Sequence, residues 1–460
     1  MTRPALFGLL LAASLTACGP SGYPPALAQD SSGFEPPVKR LVDERVAAVE
    51  AAPADARAHA RLGAAYQANG LWLPAAESFA QAAALGEEEP LWPYYGARAL
   101  MLMSRSAEAR AEAERALERD AGFAPAHLLL GWLQLEDGDV SGARQSFERS
   151  RDLEPRRPEP LVGLATLALD SGDPALAREL ATRALELQQG FRQARFVLGS
   201  ALVALGEVER GRAEMEAGAD AILSNMPTSF SGEIVSAQVN RADVLARASQ
   251  LSVEGRSDLA LELLDQLARD FPNDAVVHNN RGQTLDRLGR TDEAIAALEA
   301  STRLDGRLSR TWGNLARLYV RAGRVPAAVE AGERAVALDD TNHEAWSILA
   351  VAKRRESDLP GAMQAARRAL DLQPENAAYH SALGNVFAAA QQYEAAVTAF
   401  RRSAELDPSD AEYEFALASV LMGLSRFDEA RASLDRARAV APNSPALRQL
   451  DAKLAERAGR

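Results

Sequence analysis

Cysteine occurs once in these 460 residues, at Cys18, and lysine three times, at Lys39, Lys353 and Lys453. A single thiol excludes a disulfide framework, a haem-attachment pair and a thiolate metal site. The residues preceding the lysines are Val38, Ala352 and Ala452, so the Gly-Lys pair of a phosphate-binding loop is missing. Nearly all positive charge is therefore arginine, which we read as a bias toward GC-rich codons. With 51 Lys and Arg against 64 Asp and Glu, the net charge is −13. That balance argues against nucleic-acid binding over the whole surface. No carboxylate pair stands out for acid–base work. These absences predict a chain that is not an enzyme and has no cofactor, no metal and no small-molecule substrate.

What the chain has is a period. Small residues recur every thirty-four positions at Ala75, Ala109, Ala143, Ala177 and Gly211, then at Ala260, Ala294, Ala328, Ala362, Ala396 and Ala430. With Ala56 as the first position, units restart at Pro90, Ala124, Pro158 and Arg192. After a slip of fifteen residues they resume at Arg241, Ala275, Ser309, His343, Ala377 and Ala411. The eighth position is always Gly or Ala, from Gly63 and Ala97 to Gly384 and Ala418, and the seventh is mostly Leu. Small side chains at two crossing points let helices approach closely, where a larger one overpacks by about 1–3 kcal/mol. Pro at the thirty-second position, as in Pro155, Pro374 and Pro408, ends the second helix of a pair. Such a period describes a solenoid of helix pairs, each too small to bury its own apolar face.

This pattern resembles the tetratricopeptide repeat family, most cleanly over Ala377–Pro408, where Leu383, Gly384, Phe387, Ala396, Phe400, Leu406 and Pro408 are in phase. The resemblance covers residues 56–442. Pro90–Phe123 and Arg241–Asp274 are its degenerate units, with Gly96-Ala97 and Arg247-Ala248 replacing Leu-Gly. It implies an all-α, right-handed α-solenoid of about eleven helix-turn-helix units with a break near 226–240. The expected organisation is an N-terminal array over 38–225, an irregular insertion at 226–240 and a C-terminal array over 241–460. Lone helices over Val38–Ala51 and Pro445–Arg457 are expected to cover the two ends. His59, His127, His278 and His380 occupy the fourth position of their units, where Trp312 and Trp346 sit elsewhere. The expected role there is packing rather than metal binding.

Residues 1–17 read as a signal peptide: Arg3 is basic, Ala5–Leu15 is apolar, and Leu15-Thr16-Ala17-Cys18 follows. The apolar run is shorter than the roughly 20 residues a spanning helix needs. The four residues resemble the bacterial lipobox, which implies a lipidated Cys18 and permanent membrane anchoring through its acyl chains. Residues 18–37, rich in Pro, Gly and Ser, read as a flexible tether. Gly19 stands where Asp would imply inner-membrane retention, so the expected location is the outer membrane, facing the periplasm.

In the family the first helix of each unit lines the inner face, and its second, fifth, ninth and twelfth positions are expected to be exposed there. In the N-terminal half these include Tyr94, Arg98, Met101, Leu128, Trp132, Leu135 and Phe196, which predict an apolar, aromatic trough. In the C-terminal half they include Asn279, Gln283, Arg310, Arg317, Arg354 and Asn385, suited to carboxylates and extended peptides. Alternatively, Trp132 and its neighbours pack against adjacent units and the arginines form ion pairs. Pro227, Thr228, Ser229, Ser231 and Gly232 break the pattern and mark a hinge or a binding loop. The resulting expectation is a membrane-anchored scaffold for a protein or peptide partner in an envelope assembly or export system. The alternative is a chaperone-like module holding client segments in its groove.

Overall fold

Each of the eleven expected unit starts falls within one residue of a helix start in the computed structural model. The structure describes residues 31–86, 88–219 and 226–458. The expected lipobox, Cys18 and most of the tether lie outside the described residues. Within them every regular element is helical. The first helix, α1 (Pro36–Ala51), precedes the pairs α2 (Ala56–Ala68) with α3 (Trp72–Leu85), α4 (Leu91–Leu102) with α5 (Ser106–Arg119), and α6 (Ala124–Glu136) with α7 (Val140–Leu153). Next come α8 (Glu159–Asp170) with α9 (Pro174–Leu187), α10 (Arg192–Ala204) with α11 (Val208–Ala217), and the short α12 (Ser231–Ser236). The pairs resume with α13 (Arg241–Val253) and α14 (Ser257–Asp270), α15 (Ala275–Arg287) and α16 (Thr291–Leu304), and α17 (Ser309–Arg321) and α18 (Val325–Leu338). The chain continues through α19 (His343–Glu356) and α20 (Leu359–Leu372), α21 (Ala377–Ala389) and α22 (Tyr393–Leu406), and α23 (Ala411–Gly423) and α24 (Phe427–Val440). It ends with α25 (Pro445–Ala458).

Two compact units divide within α13, at Asp243 and Val244. The insertion at 226–240 thus belongs to the first unit. In that unit α1 covers the first pair by burying Val38, Val42 and Val49 in the same core as Leu62 and Phe79. In the second, α25 buries Leu447 and Leu454 against Leu421 and Leu434 of the last pair.

Local chemistry repeats with the period. Asp55, Asp139, Asp173, Asn342 and Asp410 cap first or second helices by accepting a backbone N–H from the first turn. In the six units that have one, the fourth-position ring ties the first helix to the loop before it. The Nε2 atoms of His127, His278 and His380 lie 3.0, 2.9 and 2.8 Å from carbonyls six residues back, and Trp312 and Trp346 donate to equivalent carbonyls at 2.9 Å. His59 is fully buried between Gln81 Oε1 and the Pro53 carbonyl. His343, which opens its unit, bonds Tyr379 at 2.6 Å.

All ten of the recurrent alanines are fully buried at 0% exposure, and Gly211 is buried with them. At the eighth position the constraint is tighter. A Cβ on Gly131 would sit 2.6 Å from the Phe147 ring, and one on Gly163, at the sixth position of the next unit, would meet the same ring at 2.6 Å. Phe147 is therefore clamped between two glycines of successive units. Van der Waals contact there leaves no room for a methyl group.

The turn inside each pair also recurs, and the residue at its fifteenth position takes a left-handed backbone. It is Gly70, Gly138, Gly172, Gly206, Gly255, Gly289 or Gly323 in seven units, and Ser104, Ser357, Gln391 or Ser425 in the other four. A side chain strains that conformation by about 1–2 kcal/mol, whereas glycine adopts it freely. Gln391→Gly is expected to stabilise the second unit by about 1 kcal/mol, read as a higher urea midpoint at unchanged helicity.

Candidate functional site

The insertion lies on the face built by the first helices of the first unit. A hydroxyl-capped turn shapes it: the Thr228 N–H donates to Ser231 Oγ at 2.9 Å, and the Phe230 N–H donates to Thr228 Oγ1 at 3.2 Å. This turn presents Phe230, which is 2% exposed. Its ring meets Trp92 edge-on at 5.0 Å, Tyr95 at 5.5 Å and Phe79 at 6.5 Å between centroids. Tyr95 Oη bonds Thr228 Oγ1 at 2.6 Å and reaches Ser231 Oγ at 3.3 Å. One helical turn on, Glu233 Oε1 accepts from Arg61 Nη2 at 3.0 Å and Nε at 3.2 Å, with Arg57 at 3.5 Å. Asn69 then donates to the Ala237 carbonyl at 2.9 Å. At the other end Met226 is buried in the core that holds Leu128, Phe147 and Leu161, with Ser150 Oγ 3.5 Å from its sulfur. The segment therefore runs back along the array, from the third and fourth pairs to the first.

The expected open trough is corrected by this arrangement. Tyr94 and Leu128, expected to be exposed, are 1% and 2% exposed. Tyr94 is packed edge-on by Tyr95 and Phe123, and Leu128 shares a core with Met226. Arg98 lies over the Tyr94 and Tyr95 rings at 5.8 and 5.2 Å. Met101 is half-buried against the same core. Trp132 meets Phe147 edge-on at 5.1 Å, and Leu135 packs beside it. Phe196 alone of the apolar set stays exposed, at 44%. The gripping residues Arg57, Arg61, Asn69, Trp92 and Tyr95 went unmarked, because most occupy third, sixth and fourteenth positions. The cluster Trp92-Pro93-Tyr94-Tyr95 in a degenerate unit was the available signal.

In the second unit the same face is open. A pocket of about 450 Å³ brings Gln283, Arg310 and Arg317 together with Asn314, Asn342, Glu344 and Tyr379. Arg317 is already engaged: its Nη2 lies 2.7 Å from Asp286, a carboxylate only 8% exposed that also pairs with Arg321. Arg310 is exposed and has no ion-pair partner among the described residues. Asn279, Arg354 and Asn385 do not line this pocket. Asn279 accepts from Thr311 at 3.1 Å, and Asn385 donates to the Ser381 carbonyl of its own helix. Arg354 is half-buried, and burial together with neighbouring Arg355 lowers its pKa.

Among the described residues no group of three or more His, Cys, Asp and Glu could hold a metal ion, and no helix is long and apolar enough to cross a membrane. Tetratricopeptide repeat family models match residues 96–158, 162–224, 245–307, 314–377 and 349–411, and another matches 387–454. Together they cover well over half of the chain. The chain belongs to the tetratricopeptide repeat (TPR) family. A curated relative, the probable biofilm formation methyltransferase WspC of Pseudomonas putida, is 39% identical over 79 residues, 17% of this chain. The match spans only 19% of that protein. Similar solved structures include the pilus biogenesis factor PilW (15% identity, TM-score 0.43, 46% of this chain and 99% of that one). Pseudomonas aeruginosa PilF is 13% identical with TM-score 0.41, covering 46% of this chain and 97% of that one. YrrB, described as having an unusual peptide-binding site, is 17% identical with TM-score 0.34 over 41% and 97%.

TPR proteins bind protein or peptide partners, and here the first TPR array holds a segment of its own chain that lies outside the repeats. The grip has an electrostatic end. Hydrogen bonds from Arg61 hold the Glu233 carboxyl below its ordinary 4.5. A depressed carboxylate adds to the closed arrangement above its unfolded pKa and loses that contribution as pH falls through the folded one. Acidification from pH 5 to pH 3 is therefore expected to speed amide exchange of Phe230–Ala237 relative to α4, beyond the intrinsic pH effect. In Glu233→Gln, exchange at pH 5 is already faster and that relative increase disappears.

Proposed function

We propose that this TPR protein is a non-catalytic scaffold tethered to the cell envelope, with its second array as the open docking surface. Arg310 carries the proposal. It stands exposed on the first-helix face, unpaired, beside an Arg317 whose orientation Asp286 already holds. A fixed arginine next to a free one suits an extended segment bearing a carboxylate, because the free fork gains charge-assisted hydrogen bonds on binding. Gln283 and Asn314 offer side-chain amides to the backbone of such a segment. Glu344, on the same wall, favours a donor elsewhere on the partner and sets its direction. The holding of apolar clients has less support, since it called for the exposed trough that Met226 and Phe230 fill.

The tether rests on the lipobox reading of Leu15–Cys18, and the absence of Asp at position 19 supports an outer-membrane location facing the periplasm. An envelope assembly or export system is the setting this combination fits.

Two experiments test the two halves separately. Photo-crosslinking in the native envelope from position 314 is expected to capture a protein partner. Arg310→Glu is expected to lower its recovery about 10–100-fold, the loss of a charge-assisted contact worth about 1.5–3 kcal/mol. Recovery unchanged by that substitution removes the second-array site. Cys18→Ala is expected to shift the protein from the membrane to the soluble fraction, and retention in the membrane fraction refutes the tether.

A further inference from the structure

We infer that the first array is itself a binding site for a partner segment, kept closed by Met226–Asn240 acting as an internal stand-in for that ligand. This is independent of the second-array reading. The site recognises the stand-in side chain by side chain. An apolar residue takes the place of Met226, a hydroxyl pairs with Tyr95, an aromatic ring enters the slot between Trp92, Tyr95 and Phe79, and an acid three residues later meets Arg61. The pattern the site accepts is thus apolar, any, hydroxyl, any, aromatic, any, any, acid. The occupant is a partner protein presenting that pattern in a short turn.

Three observations mark the segment as an occupant laid on the array, although Met226 and Phe230 enter its cores. It lies outside the thirty-four-residue frame that builds the helix pairs. It is held on one side only: Met226, Phe230 and Ala237 are buried, whereas Pro227, Ser229, Gly232 and Ser236 are exposed and Val235 is 58% exposed. Its helix is six residues long, too short to be stable without the surface beneath it. Segments with few buried side chains and an exposed backbone are drawn from the low-stability end of a fold. The surface under it has a second reason to keep a ligand. Lifting Phe230 bares the faces of Phe79, Trp92 and Tyr95 together, a contiguous aromatic patch with the exposed Arg57 and Arg61 at its rim. Such a patch on a soluble face calls for a cover. A covalently attached cover lowers the apparent affinity of an incoming segment in proportion to the fraction of time it stays closed.

The test uses a labelled synthetic peptide with the sequence of Met226–Asn240, titrated by fluorescence anisotropy into the full chain. Phe230→Ala in the chain weakens the internal cover while leaving the aromatic slot intact. It is expected to bind the peptide about tenfold or more tighter than the wild type. A peptide carrying the change Glu233→Arg is expected to lose binding and to regain it on a chain carrying Arg61→Glu. The change Arg310→Glu is expected to leave peptide affinity unchanged, which separates this site from the second array. Equal affinity of the wild type and Phe230→Ala overturns the inference. Hydrogen exchange supplies a readout that does not depend on the variant folding. In the wild type the amides of Phe230–Ala237 are expected to exchange faster than those of α2 and α4, and faster still when the α2 and α4 amides are unchanged but free peptide is added. Exchange of all three only together makes the segment part of the core and overturns the inference. A wild-type dimer that the peptide dissolves assigns the site to a second copy of this chain and overturns the partner exchange.

Discussion

The close crossing of helix pairs is the constraint on which the rest of this structure depends. Ten alanines and Gly211, each at the same place in its unit, are buried to the backbone, and every eighth position is Gly or Ala. Removing the bulk of those side chains brings helices near enough for one large ring, such as Phe147, to touch glycines of two successive units at once. Each pair is then completed by its neighbour, which is why the core continues from unit to unit and why α1 and α25 are needed at the ends. A further consequence concerns what remains. Because the crossings use one stripe of each first helix, a second stripe faces away from the core, and its chemistry is free to vary without harming the fold.

The two arrays use that freedom in opposite ways. On α4, that stripe carries Tyr94 and Arg98, with Trp92 and Tyr95 beside it at the third and sixth positions. This much aromatic surface is not left to water; Phe230 covers Trp92 and Tyr95, and Phe123 packs against Tyr94. On α15, α17 and α19 the stripe carries Gln283, Arg310, Arg317 and Ser347, which water solvates without a cover, and no segment of the described chain lies on it. One of the two degenerate units, Pro90–Phe123, supplies Trp92 and Tyr95 to the slot that Phe230 enters.

How much of this was legible in the sequence follows from the range of the interactions involved. Helix starts, caps, the tie from the fourth-position ring and the small crossing residues all act within one unit or between adjacent units, so a thirty-four-residue comparison exposes them. The alternation of Gly with Ser and Gln at the left-handed position is equally local. The bond between Tyr95 and Thr228 joins residues 133 positions apart, and that between Arg61 and Glu233 joins residues 172 apart. No periodicity encodes either one. Exposure was misjudged at Tyr94 and Leu128 because the helical wheel gives the direction of a side chain but not what else arrives there. The breaker cluster Pro227–Gly232 was visible as a departure from the repeat, yet its meaning depended on a surface it meets only after folding.

Charge placement bears on the same division of labour. The chain as a whole is acidic, at −13, so an acidic partner meets long-range repulsion and gains attraction only near arginines that are not already neutralised. In the first array Arg57 and Arg61 are taken up by Glu233, and in the second Arg317 and Arg321 share Asp286. Arg310 is left with its charge available. Most of the remaining arginine pairs are exposed contacts of the kind that contributes little to stability. On the proposed reading, recognition in the second array rests on Arg310, and in the first on whatever displaces Glu233 from Arg57 and Arg61.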